Sequence, residues 1–323
     1  MSSTTAGGGQ GLTSPFSNKP IFRDIPLIRG YNPRPPERAR HLIMGLRKSA
    51  KSTFVCSLPM CCVLDWEGGC DAITKARAHV VSLTDFPSPE RANVMKSWFS
   101  LGVWDRYEKI KDALLKDAKT TAPTFTTIAV DSVDYMFDVI CARFCQENNI
   151  FSVGDFKGKK GTGWYQVRVR LLSEIDAFEQ AGYGLLLTTH QTETTVWRDD
   201  HPTLQLRPNL SEQVRQALLR RVDQIVHMSA LLEQDETEVT TMVKGKPIST
   251  TQRTGLVTRV RLRTVPVRDD KERGCRVNIP DKLLIPEVNG WDTYAAAYRA
   301  EVERRRAAES QATAETKESP RCE

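Results

Sequence analysis

Six short apolar runs recur along this chain: HLIMG at 41–45, CCVLD at 61–65, HVVSL at 79–83, FTTIAVD at 125–131, GLLLTT at 184–189 and DQIVHM at 223–228. Helix-like stretches of greater length separate most of them. Compact apolar runs of this kind suit strands covered on both faces, and helix-length spacers are the crossovers a parallel sheet needs. The pattern predicts an α/β domain, a mostly parallel sheet flanked by helices at about 51–58, 88–99, 105–118, 133–147, 164–181 and 210–220. Beyond residue 235 the texture changes to alternating Thr, Val and Arg with turn signals at KGKP and RTG, which predicts a C-terminal β-hairpin extension.

The ends differ from this middle. Residues 1–18 are Ser, Thr, Gly and Gln with almost no large apolar groups, and Pro and Arg dominate up to residue 40. We therefore expect a flexible N-terminal arm over 1–40, a core over 41–235 and a basic β extension packed on it over 236–290. Trp291, Tyr294, Tyr298 and Val302 fall at helical spacing, so a docked helix and a disordered tail should occupy 291–323.

Composition narrows the function classes. With 323 residues, of which 40% are hydrophobic, the chain can bury a sizeable core. No run reaches the ~18–20 apolar residues of a membrane span, and the first residues lack the basic and apolar regions of an export signal. A cytoplasmic location without membrane contact is expected. The eight cysteines, Cys56, Cys61, Cys62, Cys70, Cys141, Cys145, Cys275 and Cys322, then read as free thiols in a reducing compartment. Cys61 and Cys62 are adjacent inside a strand and point to opposite faces, so buried hydrophobes account for the cluster better than a metal site. A net charge of +6 permits a polyanionic partner.

One segment carries chemistry by its position. GLRKSAKS at 45–52 lies between a predicted strand and a predicted helix, where backbone N–H groups and a helix N-terminus can surround phosphate oxygens. The binding segment is Gly45, Leu46, Arg47, Lys48, Ser49, Ala50, Lys51, Ser52 and Thr53, with Lys51 reaching the β- and γ-phosphates and Ser52 on Mg²⁺. Ala50 stands where a second glycine is usual, and its Cβ crowds the backbone's approach to phosphate. Asp131 ends the strand TFTTIAVD, where a carboxylate holds Mg²⁺ through water. Glu67, in CCVLDWEGGCD, ends another strand and is placed to orient and deprotonate an attacking water, with Gly68 and Gly69 allowing a sharp turn.

Together GLRKSAKST, VLDWEGG, TIAVDS and LLLTTHQ resemble the RecA-like P-loop ATPases, most closely the phage nucleotide-binding proteins of the AAA type that act in single-strand annealing and recombination. The resemblance covers roughly residues 40–295 and implies a RecA-like core using ATP and Mg²⁺. It makes Asp65 and Glu67 the D-x-E whose glutamate is the catalytic base. It places a γ-phosphate sensor at His190, with Gln191 the second choice. It also implies two DNA-facing loops: FSVGDFKGKKGTGW, with Lys157, Lys159 and Lys160, and QTETTVWRDDHPTLQLRPN, with Trp197 and Arg198.

A third basic feature is independent of the family. Arg259, Arg261 and Arg263 alternate with Val260 and Leu262, so a strand gathers three like charges on one face, an arrangement that a polyanion relieves. Lys271 and Arg273 follow, and the resemblance suggests a trans role at a neighbouring subunit's nucleotide. The expected partners are single-stranded DNA, further copies of the chain in a ring or filament, and a single-strand-binding protein. The reading that combines these features is an ATPase that promotes annealing or strand exchange. The alternatives are a non-hydrolytic nucleotide-sensing DNA-binding module, to which Ala50 points, and a P-loop enzyme of another type, such as a helicase loader or a nucleotide kinase.

Overall fold

The structure, a computed structural model, describes residues 33–84, 101–158, 162–198, 201–243, 246–264, 283–286 and 289–318, with Val277 and Ile279; for 101, 196–198, 202–205, 230–264 and 312–318 it describes the backbone path alone. The predicted helix at 88–99 and most of the N-terminal arm fall outside these residues.

All six apolar runs are strands. They are β1 (Arg40–Gly45), β2 (Cys61–Asp65), β3 (His79–Ser82), β4 (Thr127–Asp131), β5 (Gly184–Arg198) and β7 (Gln224–Val243), and they pair in parallel in the order β3-β2-β4-β5-β1-β7. Three antiparallel strands complete the sheet: β6 (His201–Pro208) on β5, β8 (Lys246–Thr264) on β7, and β9 (Leu283–Ile285) on β8. The helices are α1 (Lys51–Cys56), α2 (Leu101–Asp117), α3 (Val133–Glu147), α4 (Gly163–Gln180), α5 (Glu212–Leu219) and α6 (Gly290–Glu318).

The period of two along β1 shows how the layers form. Leu42 belongs to the core under α2–α5, with Tyr107, Met136, Ile140, Leu171, Phe178 and Leu218. His41 lies on the opposite face, against Trp291, Tyr294 and Tyr298 of α6, at ring separations of 5.7, 5.5 and 6.3 Å. Phe54 of α1 meets Trp291 at 5.7 Å, and the Trp291 N–H donates to Ser57 Oγ at 2.9 Å. The aromatic spacing seen in the sequence is therefore a docking face. Unit Pro33–Arg305 is compact in itself.

Several details differ from the sequence reading. Residues 33–39, assigned to the flexible arm, form a turn packed against the sheet, and Arg40 already opens β1: Leu185 N–H donates to Ala39 O at 3.1 Å, and a Cβ on Gly184 would stand 2.1 Å from Glu37 O. The loop expected after residue 189 is instead a continuation of β5 into an antiparallel hairpin with β6. The RTG turn signal produces no turn. Thr254 and Gly255 lie in β8 where the register with β7 slips between Gln234 and Glu236, so the glycine marks a bulge in a long hairpin. The domain boundary drawn at 235/236 falls inside β7, a single strand from 224 to 243.

Candidate nucleotide site

The parallel strands end together at one edge, where open α/β sheets bind ligands. Register pairs Gly45 with His190, and Asp65 with Asp131. Because β5 lies between β1 and β4, the phosphate loop after β1 and the carboxylate ending β4 flank a strand that carries Thr188, Thr189 and His190.

The loop from Gly45 curls into α1 through two left-handed residues, Lys48 (φ 61°) and Ala50 (φ 62°). Ala50 thus adopts the conformation that a glycine takes at no cost. Gly45 is irreplaceable for another reason: a Cβ there would stand 2.5 Å from both Met228 O and Ser49 Oγ. Lys51 is buried, and its Nζ donates to Gly45 O at 3.0 Å and Leu46 O at 2.9 Å. Burial holds its ammonium below the ordinary lysine value, an effect that Asp131, Glu67 and Asp134 partly offset.

Asp131 is held at both oxygens. Thr188 Oγ1 donates to Oδ1, and the Cys70 thiol donates to Oδ2 at 3.6 Å. Cys70 in turn accepts from Cys56 at 3.5 Å. That contact, followed by burial and the nearby Asp131 and Asp65 charges, pushes the Cys70 thiol far up, so it stays protonated and able to donate. A Cβ on Gly69 would approach Ser52 Oγ to 3.0 Å and Asp131 Oδ2 to 3.9 Å, which places the hydroxyl and the carboxylate beside one small space. Asp65 plays a different part. Its carboxylate accepts from the backbone N–H groups of Glu67, Gly68, Gly69 and Cys70 at 2.8–3.2 Å, which folds the turn that presents Glu67.

Glu67 reaches across to the end of β5. Its Oε1 lies 2.8 Å from His190 Nε2 and accepts from Ser132 Oγ at 2.5 Å. Burial alone raises a carboxyl, but the His190 and Ser132 bonds and the Lys51 charge hold Glu67 below the ordinary glutamate value. Asp134, in the first turn of α3, fixes the end of the β5 core segment: Thr189 Oγ1 donates to it at 2.8 Å and the His190 N–H at 2.6 Å. Its carboxyl is raised to about 6, because burial outweighs these bonds. Gln191 points elsewhere, its Oε1 lying 2.6 Å from His227 Nε2.

Of the residues expected from sequence, Lys51, Ser52, Asp131, Glu67 and His190 meet at this edge. Lys157 is exposed on the segment after α3. Trp197 and Arg198 occupy strand positions opposite Pro202 and His201. Arg259, Arg261 and Arg263 occupy alternate positions of β8, opposite Leu231, Ser229 and His227. Lys159, Lys160, Lys271 and Arg273 lie outside the described residues. Sequence reasoning missed Cys70, Ser132, Asp134, Thr188 and Thr189. For Ser132, Thr188 and Thr189 the signal was present in DS and TTH at strand ends, where hydroxyls cluster.

A parallel sheet with a lysine-bearing phosphate loop at its carboxyl edge, facing a strand-end aspartate, defines a P-loop NTPase. The chain belongs to the family described as AAA domain, whose family model matches residues 37–262. A search of curated proteins finds no match. AAA-type P-loop domains bind nucleotide, ordinarily with Mg²⁺, and the donor set fits both: a buried ammonium, a helix-start hydroxyl and a carboxylate around a space that side chains larger than glycine would fill. Among the described residues, no helix is long and apolar enough to cross a membrane.

Proposed function

We propose that the chain hydrolyses ATP, binds single-stranded DNA, assembles with further copies of itself, and promotes annealing or strand exchange in phage recombination. The observation that carries the hydrolytic part is the convergence of Lys51, Asp131, Glu67 and His190 at one sheet edge. Lys51 neutralises charge on the terminal phosphates, and Ser52 and Asp131 would hold Mg²⁺. Held there, the ion would supply positive charge against the charge that develops as the terminal phosphoryl group departs. Glu67, kept ionised by its neighbours, accepts a proton from the attacking water. With Glu67 ionised, His190 Nε2 carries the hydrogen of their shared bond, so the base and the sensor are one unit.

Support for the DNA part comes from the resemblance and from charge placement: exposed Lys157, and Arg259, Arg261 and Arg263 at period two in β8. Ala50 favoured a non-hydrolytic module, but it takes up the glycine conformation, so the loop keeps its shape.

ATP turnover measured with and without single-stranded DNA tests this reading. Glu67→Gln should lower the rate by ~10²-fold or more with nucleotide affinity nearly unchanged, whereas Lys51→Ala should lose nucleotide binding. Parent-level hydrolysis in Glu67→Gln would overturn the assignment of the base. A protein that binds ATP but never hydrolyses it would be the sensing module instead.

A further inference from the structure

The corner between α3 and α4 exposes aromatic surface that the core does not use. Phe151 is 99% exposed, Trp164 49% and Tyr165 46%. The corner itself is well built. Ser152 and Asp155 form a capping box around the 3₁₀ turn Val153–Asp155, with Gly154 N–H donating to Ser152 Oγ at 3.3 Å and Ser152 N–H to Asp155 Oδ2 at 3.0 Å. Gly163 seats the start of α4 directly on this turn, since a Cβ there would stand 2.1 Å from Val153 O. Trp164 Nε1 lies 3.8 Å from where a Cβ of Gly154 would be, so Phe151 and the Trp164–Tyr165 pair flank one turn. Inside, the space is already filled by buried Val153 and by Phe156 against Phe144, ring centres 5.0 Å apart. Three large aromatic groups are therefore left with accessible faces around a capped turn.

Two cations stand beside them. The Arg168 guanidinium lies 5.2 Å over the Tyr165 ring, and Lys157 is exposed on the same segment. The carboxylate of Asp155 is engaged by its own turn. Flat π faces beside cations match the alternation of unstacked bases and phosphates along a single strand. We infer that Phe151, Trp164 and Tyr165 form a stacking platform for the bases of single-stranded nucleic acid, with Lys157 and Arg168 at its phosphates. This rests on the single-stranded DNA reading above and adds by what chemistry, and on which side chains, the bases are held.

Stacking and phosphate neutralisation separate by their salt dependence. A labelled oligothymidine titrated by fluorescence anisotropy at several salt concentrations should bind the Phe151→Ala/Trp164→Ala/Tyr165→Ala variant ~10-fold or more weakly, with the log–log salt slope of the parent. Lys157→Gln/Arg168→Gln should instead flatten the slope, by ~0.7 for each phosphate that no longer meets a cation. Trp164→Phe keeps a stacking face, so it should retain near-parent affinity while losing the oligonucleotide-induced quenching of tryptophan emission. Parent-like thermal melting checks that each variant is folded. If the parent binds no oligothymidine, both the DNA reading and the platform fall. If the triple variant binds like the parent, the platform alone falls. If its affinity drops only together with a smaller sedimenting species, the aromatics join copies of the chain and the platform is likewise overturned.

Discussion

Ala50 illustrates how a single side chain can be at odds with its backbone and still be tolerated. A left-handed conformation costs an L-residue about 1–2 kcal/mol, and glycine's looser unfolded chain returns about 0.4–1 of that on substitution. Ala50→Gly should therefore raise stability by about 0.5–1 kcal/mol in urea denaturation, with nucleotide affinity equal or tighter; lower stability would show that the packing of the Cβ outweighs the strain. At Asp131 the unusual partner is a thiol. Cys70→Ala removes the donor at Oδ2, and on the proposed Mg²⁺ role of Asp131 this should weaken the metal by ~10-fold or more, as losing a hydrogen-bond partner of a ligand does. The Mg²⁺ concentration needed for half-maximal ATP turnover should rise by about that factor, with Cys70→Ser, which restores a donor, close to the parent. Equal Mg²⁺ requirements in all three would show that Thr188 suffices to orient the carboxylate.

The strands differ in how plainly their neighbours announce them. β2 and α3 have the bounds read from sequence, because CCVL is uninterruptedly apolar up to Asp65 and Ser132 and Asn148 end the helical period at each side. Only the first part of β5 is legible: beyond residue 190 it becomes QTETTVWR, a polar stretch whose strand state comes from cross-strand pairing with β6, and a partner leaves no mark on local periodicity. The site shows the same division. Lys51, Asp131 and Glu67 are legible because motif spacing fixes them, whereas Asp134 looks like an ordinary first-turn acid and its role depends on α3 lying beside the end of β5. A similar long-range partnership ties the start of β1 to the residue before β7. Arg40 meets nearly buried Asp223 through its backbone N–H, Nε and Nη2 at 2.9–3.1 Å, and Glu179 through Nη1 at 2.7 Å. Removing one member of a buried ion pair strands the other, at ~3–5 kcal/mol. Asp223→Ala should lose stability on this scale in urea denaturation, and a loss below about 1 kcal/mol would mean that Glu179 alone satisfies Arg40.

At the scale of the whole molecule, the sheet and its outer layer meet on a histidine that must stay neutral. His41 lies between Pro36 O, 2.9 Å from Nε2, and the Tyr294 hydroxyl, 3.0 Å from Nδ1, and burial lowers its pKa to about 4 against an ordinary 6.5. Its unfolded form takes up a proton first, so the stability that His41 contributes is complete above pH 6.5 and drains away as pH falls toward 4. Asp134 works the other way in nearly the same interval, since its raised carboxyl favours the folded state as pH falls. The two are separable by difference: stability of the parent minus that of His41→Leu should decline between about pH 7 and 4, by up to ~3 kcal/mol. A difference that does not vary with pH would show that His41 titrates as it does in the open chain. β5 has a consequence of another kind. The strand that sets His190 against Glu67 runs on without a break to Arg198, as one rail of the β5–β6 hairpin. One unbroken backbone therefore joins a surface ribbon to the cleft, and a partner that shifted the ribbon would pull on the same strand that holds the imidazole against Glu67.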